Sequence, residues 1–228
     1  MFVKICGMTR QQDLDLASSL GANLCGFIFA QKSPRFITPG AAAALDSHGM
    51  ARVGVFLTDD NGFILRTAAE ARLDFIQLHG RQSSATALAA GPSRVIRVLW
   101  PGTYPDAESF QKDLDKASGE SAFLLFDAGK QGSGGTGTRF QWSLLDGVRI
   151  PLPWLLSGGL TPESPADIAL LEDRPDGLDF NSGLEDAPGI KNAGLMREAF
   201  ANLRKAGLAP DSRFDKELTG GEERYHPL

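Results

Sequence analysis

No run of apolar residues in this 228-residue chain approaches the roughly 20 needed to cross a bilayer, so no membrane partner is expected. Its first residues enter a strand-like pattern at once, without the charged-then-apolar layout of a signal peptide, and a cytoplasmic location is expected. Cysteine is scarce. Cys6 and Cys25 form no C-x-x-C motif and no disulfide framework, which suits a reducing compartment. The three histidines, His48, His79 and His226, are too scattered for a histidine-based metal centre, so no metal is expected. The formal net charge is −5 and no basic patch stands out, which argues against a nucleic-acid partner.

What is present is regular. Short apolar runs recur near 2–6, 23–29, 52–57, 73–78, 94–99, 122–127, 153–157 and 177–181, and each reads as a strand. Amphipathic stretches at 10–20, 39–48, 61–72, 82–90, 105–118, 140–146, 162–171 and 191–205 read as the helices between them. Thr9 is placed to cap the first helix, and Thr161-Pro162 marks the start of another. Eight strand–helix repeats in roughly 200 residues predict a single-domain α/β fold, the (β/α)8 TIM barrel, over 1–206. An open doubly wound sheet would want a G-x-G-x-x-G turn after the first strand, and Cys6-Gly7-Met8-Thr9 is not one. Residues 207–228 lose the pattern and read as a mobile or loosely docked tail.

Barrels keep their chemistry at the C-terminal ends of the strands. There the first strand ends in Cys6, a candidate base or nucleophile, and the sixth ends in Asp127 after an apolar run. Burial at the mouth would raise the pKa of Asp127, as a general acid requires. Non-adjacent strands put Cys6 and Asp127 across the mouth from each other, an arrangement suited to proton transfer within a small substrate. Cys25 sits inside Leu24-Cys25-Gly26-Phe27 and reads as a buried filler. Gln77 and His79 share one face of the fourth strand; His79 either orients Asp127 or a substrate hydroxyl, or makes a structural hydrogen bond. In Lys32-Ser33-Pro34-Arg35, Arg35 is the better fork for a carboxylate, though a solvated basic turn reads equally well. Gly158-Gly159 and Asn181-Ser182-Gly183 follow strands seven and eight, where barrels bind phosphate on backbone N–H groups; glycine there would let the phosphate approach. The glycine-rich loop from Gly129 to Gly137 is long enough for a lid. Lys4 shares its face with Cys6 and needs a counter-ion inside a barrel; Asp179, on the adjoining last strand, is the expected partner.

Lys4-Ile5-Cys6-Gly7, Lys32-Ser33-Pro34-Arg35, Gln77-Leu78-His79-Gly80, Asp127, Gly134-Gly135-Thr136-Gly137, Ser157-Gly158-Gly159-Leu160-Thr161-Pro162 and Ser182-Gly183-Leu184-Glu185 occur in this order and at these strand ends. Together they resemble the phosphoribosylanthranilate isomerase family of tryptophan biosynthesis, over most of the first 206 residues. The resemblance implies an aldose–ketose isomerase performing an Amadori rearrangement on N-(5-phosphoribosyl)anthranilate. Asp127 would be its general acid and Cys6 its general base. Arg35 would hold the anthranilate carboxylate, and the loops with Gly158, Gly159, Asn181, Ser182 and Gly183 the phosphate. Gln77 and His79 would help to bind substrate. It implies no cofactor, a small sugar-phosphate as the partner, and a monomer or homodimer. Asn181 departs from the small hydroxyl residue usual in the family at that place.

Reference values near 3.9 for Asp and 8.5 for Cys leave the acid ionised and the base protonated, the reverse of what is needed. Inverting them would take about 4.6 pH units, or roughly 6 kcal/mol, so burial, nearby cations and a coupled, reverse-protonated pair are expected to share the task. The related histidine-pathway sugar isomerases are expected to carry an aspartate where Cys6 stands, which favours the tryptophan-pathway reading. A non-catalytic phosphate-binding barrel is the rival from another class.

Overall fold

The structure, a computed structural model, describes residues 1–129, 145 and 147–211. Eight parallel strands close a barrel in sequence order: β1 (Phe2–Ile5), β2 (Leu24–Ile28), β3 (Ala51–Phe56), β4 (Phe75–Leu78), β5 (Val95–Leu99), β6 (Phe123–Asp127), β7 (Trp154–Ser157) and β8 (Gly177–Phe180). β1 pairs with both β2 and β8, which completes the ring. Helices α1 (Gln11–Leu20), α2 (Pro39–Ala44), α3 (Asn61–Glu70), α4 (Ser84–Ala90), α5 (Ala107–Ser118), α6 (Ser164–Ile168) and α7 (Ala193–Lys205) cover it. The (β/α)8 architecture read from the strand–helix alternation is what the chain adopts.

The two-residue period of a strand sorts side chains between two layers. On β6, Leu124 and Phe126 face outward and pack with Phe110 of α5 and with Trp154, while Phe123 and Leu125 fill the interior. Phe75 and Phe123 meet edge to face at 5.7 Å, and Phe2 meets Phe123 at 6.4 Å. These aromatic rings plug the N-terminal end. Further along the inward rows of β1, β4 and β6 the residues turn polar: Phe2 gives way to Lys4 and Cys6, Phe75 to Gln77 and His79, and Leu125 to Asp127. An apolar base beneath a polar mouth is thus written into the strands themselves.

Several helix starts follow their sequence signals. Asp60, Ser83, Asp106 and Asn192 each accept the N–H three residues on and so satisfy a donor that the helix leaves open. Two expected caps fail. The residue before α1 is Arg10, with no side-chain cap, because the Thr9 hydroxyl donates instead to the Gly189 carbonyl. α6 begins at Ser164 rather than Pro162, since Thr161 and Ser164 first form a turn in which Thr161 N–H donates to Ser164 Oγ. α2 also stops early: Leu45 after it is extended, and Arg52 donates to the Ala42 and Leu45 carbonyls.

After β8 the chain makes one 3-10 turn (Ser182–Leu184) and a small hairpin of β9 (Glu185–Ala187) and β10 (Ile190–Lys191), which the sequence pattern did not reveal. Residues 207–211 run back to the start of the chain, where Asp211 N–H donates to Met1 O at 3.0 Å and Asn23 Nδ2 to Asp211 O at 2.7 Å. The expected helix at 140–146, apart from Leu145, most of the glycine-rich loop and the tail beyond 211 lie outside the described residues.

Candidate active site

All the candidate residues line one cavity of about 300 Å³ at the C-terminal mouth of the barrel: Cys6, Arg35, Gln77, His79, Asp127, Gly158, Gly159, Asn181, Ser182 and Gly183. Cys6 follows β1 directly. Its N–H donates to Phe180 O at 2.8 Å, and Gly7, at a φ of 73°, turns the chain away and leaves the thiol at the mouth. Gly26 on β2 makes room for the thiol, for a Cβ there would lie 2.7 Å from Cys6 Sγ. Burial pushes the Cys6 thiol up; Lys4 opposes this most, Asp179 adds to it, and Lys191 opposes it.

Lys4 is wholly buried, and its Nζ donates to Asp179 Oδ2 at 2.7 Å, the ion pair expected inside the barrel. Burial alone would lower the lysine, but the charges of Asp179 and Cys6 outweigh it and raise the pKa, so Lys4 stays charged.

Asp127 closes β6 with only 4% of its surface exposed. Burial raises its pKa in the direction a general acid needs, while the Gly129 N–H, donating to Oδ1 at 2.7 Å, works against it. His79 Nε2 lies 3.6 Å from Asp127 Oδ2, and Gln77 Nε2 lies 3.0 Å from His79 Nδ1. With the Gln77 amide donating there, the imidazole proton sits on Nε2 and points toward Asp127. Burial, with a smaller contribution from Lys4, pushes His79 down to about 4, so the ring is neutral. Gln77 Oε1 is buried without a partner among the described residues, which leaves an acceptor beside the cavity.

Arg35 is not a solvated basic turn. It is tied to Glu185, and Glu185 also accepts from Lys191 Nζ at 2.8 Å. Lys191 is buried and holds Asn181 as well, donating to its Oδ1 at 3.0 Å and its carbonyl at 3.2 Å. The Asn181 side chain is therefore committed to Lys191 and to contact near Gly7. Neither Lys191 nor the Arg35–Glu185 pair was legible beforehand. Their meeting depends on the β9–β10 hairpin folding back under the mouth.

In the two phosphate-type loops, Gly158 and Gly183 also have a packing role beside the expected one. A Cβ on Gly158 would lie 2.5 Å from Ala128 N and 2.9 Å from Asp127 Oδ1, and one on Gly183 would lie 2.0 Å from Leu160 O. They allow the loops to pack on Asp127 and on each other. Gly158 and Gly159 also take left-handed φ values of 92° and 66°. Among the described residues, the N–H groups of Gly159, Ser182 and Gly183 meet no acceptor, so they can still receive an anion.

Comparison with known proteins places this geometry. Residues 3–202 match the family model described as N-(5'phosphoribosyl)anthranilate (PRA) isomerase. The N-(5'-phosphoribosyl)anthranilate isomerase of Desulfovibrio desulfuricans is 51% identical over 205 residues, covering 90% of this chain and 96% of the relative. The crystal structure of phosphoribosyl anthranilate isomerase from Thermus thermophilus superposes with a TM-score of 0.76 at 34% identity, covering 90% of this chain and 99% of that one. Another phosphoribosyl anthranilate isomerase, solved in complex with reduced 1-(o-carboxyphenylamino)-1-deoxyribulose 5-phosphate, gives a TM-score of 0.72 at 29% identity, covering 90% of this chain and 99% of that one. The chain belongs to the N-(5'-phosphoribosyl)anthranilate isomerase family.

Proposed function

We propose that this family member converts N-(5-phosphoribosyl)anthranilate to 1-(2-carboxyphenylamino)-1-deoxyribulose 5-phosphate, the isomerisation step of tryptophan biosynthesis, with Asp127 as general acid and Cys6 as general base. The observation that carries the assignment is the placement of two buried proton-transfer groups, one just after β1 and one at the end of β6, around one cavity. The Asp127 carboxyl gives its proton to the furanose ring oxygen. The C1–O bond breaks, and the anthranilate nitrogen supplies its lone pair to form a Schiff base. Cys6, as thiolate, takes the C2 proton, and the C–H electron pair closes a C1–C2 double bond that neutralises the nitrogen. The enolamine then loses its hydroxyl proton and gains one at C1 to become the ketone. The substrate's own nitrogen is the electron sink, so the reaction calls for no cofactor.

Arg35 supports the carboxylate end. Its Nε and Nη2 edge is taken by Glu185, and the edge with Nη1 has no partner among the described residues. That leaves two parallel donors for the anthranilate carboxylate. The Gly158–Gly159 and Ser182–Gly183 amides suit the phosphate, and Gln77 Oε1 suits a ribose hydroxyl. The related structure holding a reduced ribulose 5-phosphate compound supports a small sugar-phosphate ligand.

Among the described residues no helix is long and apolar enough to cross a membrane. Work in the cytoplasm, as a monomer or homodimer, is part of the same proposal. Its test is incubation of the purified chain with freshly made substrate, read as loss of anthranilate-type fluorescence. A folded protein that binds the product without turnover would instead be a binding barrel.

A further inference from the structure

Directly beneath the proposed acid and base lies a charged pair that the proton-transfer scheme does not use. Lys4 is fully buried and fixed to Asp179 Oδ2, while Asp179 Oδ1 is buried without a partner among the described residues. A pair that merely filled the barrel would have apolar replacements at no cost to folding, and would be expected to satisfy both carboxylate oxygens. Its position is particular. A Cβ on Gly26 would meet Cys6 Sγ at 2.7 Å and Lys4 Cε at 3.2 Å, so the thiol and the end of the lysine stem flank the same point.

On the reading that Cys6 is the general base, we infer that Lys4 is the counter-ion of its thiolate. It is a positioning residue, anchored by Asp179, whose charge lets a buried thiol give up its proton, while Asp179 tempers that charge so that the proton can return. The charges facing Cys6 are Lys4 from its own strand, Asp179 from β8 and Lys191 from β10. Among the described residues β2 brings Gly26 and Ile28 and no charged group to this side, and Asp127 and His79 face the same cavity from β6 and β4. Both lysines are tied to a carboxylate, Lys4 to Asp179 and Lys191 to Glu185, and Lys4 is the larger of the two cationic influences on the thiol.

The test is alkylation of Cys6 by iodoacetamide in the full chain carrying Cys25→Ala, with the rate followed from about pH 6 to about pH 11, because only the thiolate reacts. Lys4→Met should move the midpoint of reactivity upward and slow alkylation near neutral pH about tenfold or more. Asp179→Asn should move it downward and speed alkylation, and Lys4→Arg should hold it near the parent. A structural pair would not give opposite shifts. Midpoints that stay put, or that move the same way in Lys4→Met and Asp179→Asn, overturn the inference. Should Lys4→Met fail to fold, the downward shift in Asp179→Asn decides alone. No substrate is present, so failure here leaves the isomerase reading intact, and absence of turnover leaves the alkylation profile to be judged by itself.

Discussion

Arg35 meets Glu185 along one edge of its guanidinium: Nε donates to both carboxylate oxygens at 3.0 Å, and Nη2 donates to Oε2 at 2.7 Å. The pair joins residues 150 positions apart and sets the plane of the fork. Burial would raise Glu185, but the hydrogen bond from Arg35 and the charge of Lys191 outweigh it and lower the pKa, so the carboxylate stays ionised and the clamp stays closed.

Replacement of Arg35 by lysine keeps the charge and loses the second pair of parallel donors. Charge-assisted hydrogen bonds contribute about 1.5–3 kcal/mol, so KM for the phosphoribosyl substrate should rise roughly 10- to 100-fold with a much smaller change in kcat. Steady-state kinetics of Arg35→Lys beside the parent check this. An unchanged KM would remove Arg35 from the carboxylate site.

His79 gives the fold an acid sensitivity of predictable sign. Its pKa is about 4 in the fold and near 6.5 in the unfolded chain, so between those values the unfolded state binds more protons. Stability from this group is therefore present above about pH 6.5 and is lost as pH falls toward 4, by roughly 1–2 kcal/mol at pH 5. His79→Asn should narrow the difference between urea midpoints at about pH 7.5 and about pH 5. An equal difference in both proteins would mean that the ring is charged or exposed in the fold.

Gly26→Ala probes the space that the thiol occupies. The added methyl would lie 2.7 Å from Cys6 Sγ and 3.1 Å from Cys6 Cα, so thiol or strand must move. Overpacking of this kind costs about 1–3 kcal/mol, and a displacement near 1 Å at a reacting group can cost about 100-fold in rate. A folded Gly26→Ala protein with full turnover would show that Cys6 tolerates displacement and would weaken its assignment as base.

The strand–helix alternation was legible because a buried parallel strand is a short apolar run whatever surrounds it. The read strand at 122–127, for example, is Phe123–Asp127 in the fold. The Lys4–Asp179 pair was legible for a related reason: closure of the barrel sets those two positions in register. The inward period of two likewise carried Gln77, His79 and Asp127 to the mouth. What escaped depends on contacts between distant segments. Thr9 has every local qualification as a cap, yet its hydroxyl goes to Gly189 from the β9–β10 hairpin. Lys191 looks like any lysine ahead of a helix until that hairpin buries it beneath Asn181. Gly183 reads as a phosphate glycine from the sequence, and only the fold shows that its missing Cβ also makes room for Leu160 O.

That last contact is itself testable. Gly183→Ala would set a methyl 2.0 Å from the Leu160 carbonyl oxygen and force apart the loops that follow β7 and β8. A cost of about 1–3 kcal/mol should lower Tm by roughly 3–10 °C and raise KM for the phosphate-bearing substrate. A loss of stability with KM unchanged would separate the packing of these loops from phosphate binding.

The most direct test of the whole account is turnover of freshly made N-(5-phosphoribosyl)anthranilate by the parent chain beside Cys6→Ala and Asp127→Asn, with circular dichroism confirming that all three are folded. General acid and base groups each contribute about 100- to 10,000-fold, so the parent should turn over and each variant should lose kcat on that scale while still binding the product. Either variant retaining near-parental kcat would contradict the assignment of Cys6 as base and Asp127 as acid.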